Sequence, residues 1–520
     1  MHLIVAGGGV AGVEALLALS RLAGDLVDVE LLSPNEQFVY RPLLVAEPFG
    51  AAEALRIDLD QVVHDAGARH TKDALAAVDP ANRTVTTEAG SVLSYDALLI
   101  ALGATPVEAV PGALTFAGET ERHRFADLLA AFGRRGTTRI AFVVPRAAAW
   151  SIAAYELALL TAAERDARRL EFVEMTLVTH EAAPLDLFGP AASRLVLSRL
   201  EDAGIAFRPS SSAGRFEGGR LLFDEGEPLE VDAAVALPGL EVPPLPGLPQ
   251  RQRGFVQTDS MMRVVDGDSI WAAGDATWFP IKQGGLAAQQ ADVAARAIAA
   301  HAGARVPIES FDPVLRAALI TGDAPEFLRA SVADRGTGAT AVGQPLWWPA
   351  AKVAGRYLAP YVADALGQEH WEELADIEPS DHLAADEAEH DRAVSLVLAA
   401  ADADAAMGDF GGAIKWLSLV ERLNLVIPPE YVAQRDKWRR QLHPELKPDE
   451  AAARIDPSFA SPAAAISDLQ RRVGWLRAIQ DRTEDEMRDH LATLDAGMDD
   501  LLALCRRSGV LAGAGPRDGE

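Results

Sequence analysis

The stretch that most constrains this chain is its first, MHLIVAGGGVAGVEALLALSRL. The run HLIVA is continuous and apolar, as a parallel strand buried on both faces requires, and VEALLALSRL carries apolar residues at helical spacing. Between them stand Gly7, Gly8, Gly9, Val10, Ala11 and Gly12, a GxGxxG turn in the strand-turn-helix setting that gives the pattern its meaning. Gly7 permits the tight turn, Gly9 lets backbone approach a pyrophosphate, and Gly12 lets the helix sit close to the strand. Val10 and Ala11 open a helix whose free N–H groups face the phosphates. The chain therefore begins as a Rossmann-type unit built to hold a dinucleotide.

The second strand, LVDVELLS, should end in an acid that holds the adenine ribose, about twenty residues past the glycines. Ser33 occupies that position, and its hydroxyl makes a weaker hydrogen bond than a carboxylate. Glu30 lies inside the strand.

A second stretch, RIAFVVPRAAAWSIAAYELALL, repeats the strand-helix outline, and EFVEMTLVTH supplies its next strand. Its turn reads PRAAAWS. Without glycine the backbone cannot approach a pyrophosphate closely, and Pro145 and Trp150 add bulk. NAD(P)H in the usual pose is disfavoured here, although Arg146 and the helix start at Ser151 could attract an anion.

Composition narrows the remaining choices. At 520 residues two or three domains are expected. The net charge of −28 argues against a nucleic-acid partner. The single cysteine, Cys505, excludes an intrachain disulfide, a CxxC redox pair and a thiolate metal cluster, and no metal centre is expected. No apolar run is long enough to span a bilayer, and no targeting segment opens the chain, so a cytoplasmic protein is expected.

Two later stretches, VLSYDALLIALGATP and GFVQTDSMMRVVDGDSIWAAGDATWFPIKQGGLAAQQADVAARAIAAH, complete the pattern. With the first turn they resemble the two-dinucleotide-domain flavoproteins of the pyridine nucleotide-disulfide reductase type, from Met1 to about Ala363. Within that group NEQFVYRPLL resembles type II NADH:quinone dehydrogenases, whereas AAYELALL and PLDLFGPAASRLVLSRLEDAGI resemble sulfide:quinone oxidoreductases. The resemblance implies FAD at the first turn, held by Gly7, Gly9 and Gly12. It places Ala101 and Gly103 in an ATG-like turn, and Gly274 and Asp275 at the ribityl chain. Arg41 and Pro42 would lie near the flavin, with Leu75 meeting the adenine through its backbone. Lys282, Gly284 and Gly285 would face the pyrimidine end of the isoalloxazine. The last placement has chemical support, because a lysine and a helix N-terminus stabilise the negative charge of reduced flavin. Lys282 is accordingly the candidate catalytic residue, acting through flavin electrostatics.

The implied donors fit incompletely. Sulfide enzymes of this kind carry a cysteine pair beside the flavin, and this chain has none. A small molecule reacting at the flavin, or a protein partner, is expected to supply electrons. His180, beside Glu181, reads as a turn residue, and no Ser-His-Asp, HExxH or paired-carboxylate pattern stands out.

The segment PLWWPAAKVAGRYLAPYVADAL sets Trp347, Trp348, Tyr357 and Tyr361 beside Lys352 and Arg356. That mixture suits either a membrane interface or a cap packed over the flavin domain. Beyond about Gly367 polar, acidic helices follow. AVSLVLAAADADAAMGDFGGAIKWLSLVERLN reads as one tetratricopeptide-type helix pair, too little to stack as a solenoid. Ile466, Leu469, Val473 and Leu476, then Met487, Leu491, Leu494, Met498 and Leu501, mark a long amphipathic helix or hairpin.

The expected class is α/β, with tandem Rossmann-like FAD- and NAD(P)-type domains followed by an all-α extension. Its parts are an FAD-binding domain over 1–108 and 249–310 and a glycine-poor NAD-type domain over 109–248. A cap or interface segment follows over 311–366, a helical module over 367–455, an amphipathic tail over 456–510 and a disordered terminus over 511–520. The functional expectation is an FAD-dependent oxidoreductase passing electrons from a small-molecule or protein donor to a quinone or similar acceptor, without a redox disulfide, peripheral to the inner face of the membrane if the quinone lies there. Two alternatives stay open: an NAD(P)H:quinone dehydrogenase with an unusual phosphate turn, and a flavin-bearing interaction subunit that docks or self-associates through its C-terminal helices.

Overall fold

The computed structural model describes residues 1–132, 138–170, 172–332, 340–368, 373–377, 394–406, 408–422 and 427–443. They fall into two compact units, 1–377 and 378–520. The expected amphipathic tail, the disordered terminus and Cys505 lie outside the described residues.

The opening apolar run forms the strand His2–Ala6, which pairs in parallel with Asp28–Leu32 on one side and Ala97–Ile100 on the other. Ile270–Ala272 and Arg69–Thr71 complete a five-stranded parallel sheet. Alternate side chains feed two cores, as the pleat demands. Leu3, Val5, Leu31 and Leu99 pack against the helices α1 (Val10–Leu22), α2 (Leu59–Asp65) and, from far along the chain, α6 (Gly284–His301). Ile4, Ala6, Leu98 and Ile100 face the antiparallel strands Leu75–Asp79, Thr84–Thr87 and Val92–Ser94. Glu30 lies within its strand, where it accepts from Thr71 Oγ1 at 2.6 Å.

A second parallel sheet runs in the order Leu114–Thr115, Ala233–Ala236, Thr138–Val144, Val173–Thr179, Ile205–Arg208. Its Ile140, Phe142 and Val144 pack under the helices α3 (Glu119–Ala131), α4 (Ile152–Ala167) and α5 (Gly189–Asp202). The two sheets are thus tandem Rossmann-like folds. An antiparallel pair, Thr105–Val107 with Gly239–Glu241, carries the chain between them.

After α6 the strands Val314–Leu319, Glu326–Ser331 and Thr340–Val342 form an antiparallel sheet, and α7 (Leu358–Ala365) follows. The aromatic segment packs onto the protein through several of its side chains. Trp347 is fully buried against Phe327, with its Nε1–H donating to Ala351 O at 3.0 Å. Tyr357 is buried, and Tyr361 donates to Asp65 Oδ2 at 2.8 Å. Both cations read as headgroup contacts are engaged elsewhere: Lys352 pairs with Glu156, and Arg356 with Asp292 and Glu373.

The second unit holds α8 over 394–406, α9 (Phe410–Arg422) and α10 (Pro429–Leu442). The Gly-Asp turn between α8 and α9 is closed by Asp409, which accepts from Gly412 N at 2.8 Å, and Trp416 Nε1–H donates to Asp404 Oδ2 at 2.8 Å. Trp416 and Trp438 are buried in this unit's own core, with Val397, Ile414, Leu417 and Val420. No helix among the described residues is long and apolar enough to cross a membrane.

Candidate active site

The first glycine turn is as tight as its sequence demands. Gly7 holds φ +114°, and a Cβ on it would stand 2.3 Å from Ala101 O. A Cβ on Gly12 would fall 1.9 Å from Gly7 O. Gly9 differs, since a Cβ there would meet no atom within 4 Å. It is the N-cap of α1, whose first turn has neither a side-chain cap nor an acidic residue. Val10, Ala11 and Gly12 therefore present the positive end of the helix to open space, the arrangement that binds phosphate.

Around this turn the structure assembles most of the residues singled out from the sequence. Ala101 donates its N–H to Ala6 O at 2.8 Å, which fixes the loop carrying Gly103 beside Gly7. Gly274, at φ +81°, packs on α1, where a Cβ would stand 3.1 Å from Ala11 Cβ. Its N–H donates to Gln290 Oε1 at 2.8 Å, so α6 holds the Gly-Asp turn against α1. Asp275 follows. Burial pushes its carboxyl above the usual range, opposed by the charges of Lys282 and Arg41, and no protein hydrogen bond to the carboxylate is made among the described residues. Ser33 is fully buried, its Oγ accepting from Asn35 N at 3.3 Å. Leu75 opens the antiparallel strand behind it.

Lys282 is only 9 % exposed. Its Nζ donates to Thr277 O and lies 4.4 Å from the Phe255 ring centroid. Burial lowers its pKa to about 8, opposed by Asp275. Gln283 caps α6, accepting from Leu286 N at 3.0 Å, and a Cβ on Gly284 would stand 2.8 Å from Val353 Cγ2. Gly285 follows, buried in the first turn of α6.

A cavity of about 220 Å³ opens beside these groups. Arg41, Lys282 and Gly284 line it from the first fold, Trp150 and Glu156 from the second, and Lys352 from the cap. An adjoining cavity of about 530 Å³ shares Arg41, Leu44, Ala117 and Gly118. Arg41 sits in the short turn Arg41–Leu43 with an exposed side chain.

The sequence reading missed the pair Glu156 and Lys352. Lys352 Nζ stands 2.7 Å from Glu156 Oε2 and 2.8 Å from Pro42 O. Ile320 N donates to Glu156 Oε1 at 3.0 Å. Burial raises the Glu156 carboxyl pKa, with Lys352 opposing. One signal was present in the sequence: Glu156 is the lone charge among Ala154, Tyr155, Leu157, Ala158, Leu159 and Leu160, all buried on α4. Glu14 was likewise passed over. It is a fully buried carboxylate on α1 that accepts from Tyr357 N at 3.0 Å and Leu358 N at 2.7 Å, fastening the start of α7.

Tandem Rossmann-like folds, with an open glycine turn in the first and a charged cavity where the two meet, are an architecture suited to dinucleotide binding. Comparison with known proteins agrees. The family model for pyridine nucleotide-disulphide oxidoreductases matches residues 1–300. An NADH dehydrogenase-like protein of Mycobacterium tuberculosis is 29 % identical over 297 residues, covering 53 % of this chain and 72 % of that protein. The mitochondrial sulfide:quinone oxidoreductase of mouse is 29 % identical over 103 residues, 20 % of this chain and 23 % of that protein. The crystal structure of sulfide:quinone oxidoreductase from Aquifex aeolicus shares the fold, with a TM-score of 0.60 at 18 % identity over 65 % of this chain and 86 % of that one. The chain belongs to the pyridine nucleotide-disulphide oxidoreductase family, and it is an oxidoreductase.

Proposed function

We propose that this protein binds FAD at its first glycine turn and passes electrons from a small-molecule or protein donor to a quinone or similar acceptor. The observation that carries the reading is the continuity of the site. The glycine turn, Asp275 and the cavity walled by Arg41, Lys282, Glu156 and Lys352 follow one another across the junction of the two folds. The residues present fit the cofactor. Gly7, Gly9 and Gly12 leave room at the positive end of α1 for a pyrophosphate, and Asp275 offers a carboxylate without a protein donor to a ribityl hydroxyl. FAD, when bound, supplies two-electron redox chemistry that no side chain here can perform.

The chain's own residues supply charge and protons. Lys282 beside α6 places a cation where reduction builds negative charge. Lys352 has three N–H donors and spends two on Pro42 O and Glu156 Oε2, which leaves one for an oxygen entering the cavity. Glu156, buried behind it, pairs with Lys352 at 2.7 Å. With one cysteine in the chain, the route contains no intrachain disulfide.

The test is purification followed by spectroscopy. The protein should carry a non-covalent flavin, identified as FAD after extraction, and anaerobic mixing with donors should bleach it, with quinone restoring the colour. Colourless protein that cannot be reconstituted with FAD would defeat the reading.

A further inference from the structure

The second Rossmann-like fold invites a pyridine nucleotide, yet its nucleotide-binding edge is closed by its own side chains. The turn Pro145–Ser151 folds back on itself, Ala148 N–H donating to Pro145 O at 2.9 Å. Its Ala149 carbonyl accepts from Lys282 N at 3.2 Å, and Ala147 packs so closely on Gly239 that a Cβ there would stand 3.3 Å from Ala147 Cβ. In the first fold the corresponding helix start opens onto space at Gly9.

The carboxylate end of the site is also occupied. A dinucleotide fold reads the ribose with an acid just beyond its second strand, and the first acid beyond Val173–Thr179 is Glu181. Glu181 Oε1 accepts from Ser151 Oγ at 2.8 Å, and Oε2 accepts from Tyr155 OH at 2.7 Å and Thr179 Oγ1 at 2.8 Å. It is buried. Ser151, the N-cap of α4, therefore spends its hydroxyl on Glu181 and makes no cap bond. Arg146, the cation nearest the turn, donates to Ser212 Oγ.

Trp150 stands in the turn, just before the Ser151 N-cap of α4. Its ring meets Phe188 edge-on, with centroids 5.7 Å apart, and it lines the cavity with Phe116 and Ile152.

From these observations we infer that the second fold has exchanged pyridine-nucleotide binding for walling a small-molecule site, with Trp150 setting its size. The ligand class is a planar molecule, apolar in body, with an oxygen for Lys352. This part rests on the proposed redox role of the cavity, whereas the loss of nucleotide binding stands without it.

Two equilibrium titrations of the full-length holoprotein test the inference. In the first, NADH and NADPH are added anaerobically and followed by nicotinamide fluorescence. Without pyrophosphate anchoring, affinity should be about a thousandfold below that of a micromolar site, with no saturation by about 1 mM. Saturable binding below about 100 µM overturns the inference. In the second, one-ring and two-ring quinones are titrated by protein fluorescence. Trp150→Ala should shift the affinity ratio toward two rings by about tenfold and leave NADH unbound. Trp150→Phe, which keeps an aromatic wall, should shift it about threefold, and serves if the alanine variant does not fold. An unchanged ratio in a folded variant overturns the role of Trp150. Flavin content is read from the absorbance of the same samples, so failure of the FAD assignment is recorded separately.

Discussion

Lys352→Met should destabilise the first unit by about 3–5 kcal/mol at pH 7, the range for removing one partner of a buried ion pair. The geometry supports the upper part of the usual scale. The pair is 2.7 Å apart, with side-chain exposures of 11 % for Lys352 and 1 % for Glu156, so solvent screens it little. Once Lys352 is gone, Glu156 keeps only the Ile320 N–H and escapes by taking up a proton. Protonating a carboxyl costs about 1.4 kcal/mol per pH unit above its ordinary value, hence about 3–4 kcal/mol at pH 7 and about 1.5 kcal/mol at pH 5.5. The native variant then holds a proton that the unfolded chain has shed, so its stability falls as pH rises. Denaturant unfolding at the two pH values measures this directly. The double variant Glu156→Gln, Lys352→Met removes both charges and should recover most of the loss, giving a coupling of about 2 kcal/mol or more. A deficit for Lys352→Met below about 1 kcal/mol at pH 7, or one independent of pH, would refute the reasoning.

Three further outcomes follow from the site. Gly9→Ala should fold with stability within about 0.5 kcal/mol of the parent yet purify with less flavin, because its methyl enters only the ligand space, whereas Gly12→Ala should disrupt the turn itself; melting curves and flavin content separate the two. Lys282→Met should lower the flavin reduction potential, and since the Lys282 pKa lies at about 8, the gap between parent and variant should narrow as pH rises through that value in potentiometric titrations. Burial raises the Glu14 carboxyl to about 8 despite its N–H donors, so in the parent this group's contribution is complete below the ordinary carboxyl range and is lost as pH rises toward 8; Glu14→Gln should flatten that part of the stability profile, and an unchanged slope would count against it.

Sequence alone determined the features whose physics is local. A strand-glycine-helix turn requires Gly12 wherever the chain goes next, because the clash it avoids is with Gly7 O in the same turn, and the positive φ of Gly7 is likewise a demand of the turn. The Gly-Asp turn at 274–275 and the helix beginning at Gly284 were legible for the same reason. The absence of glycine from the second turn, PRAAAWS, is equally plain in the sequence.

Tertiary structure decided where charge is placed, because a charged side chain is defined by partners that sequence distance conceals. Lys352 and Arg356 beside tryptophans suit a membrane surface or a cap equally well. Their partners are Glu156, on another fold 196 residues away, and Asp292 on α6. A buried lysine is favoured by an opposite charge at contact distance, and only folding brings Glu156 to Lys352. Ser33, read as a ribose contact, is fully buried, and its Oγ accepts from Asn35 N. The glycine turn is thus legible in the sequence, and the meeting of Glu156, Lys352 and Trp150 at one cavity is decided by long-range packing.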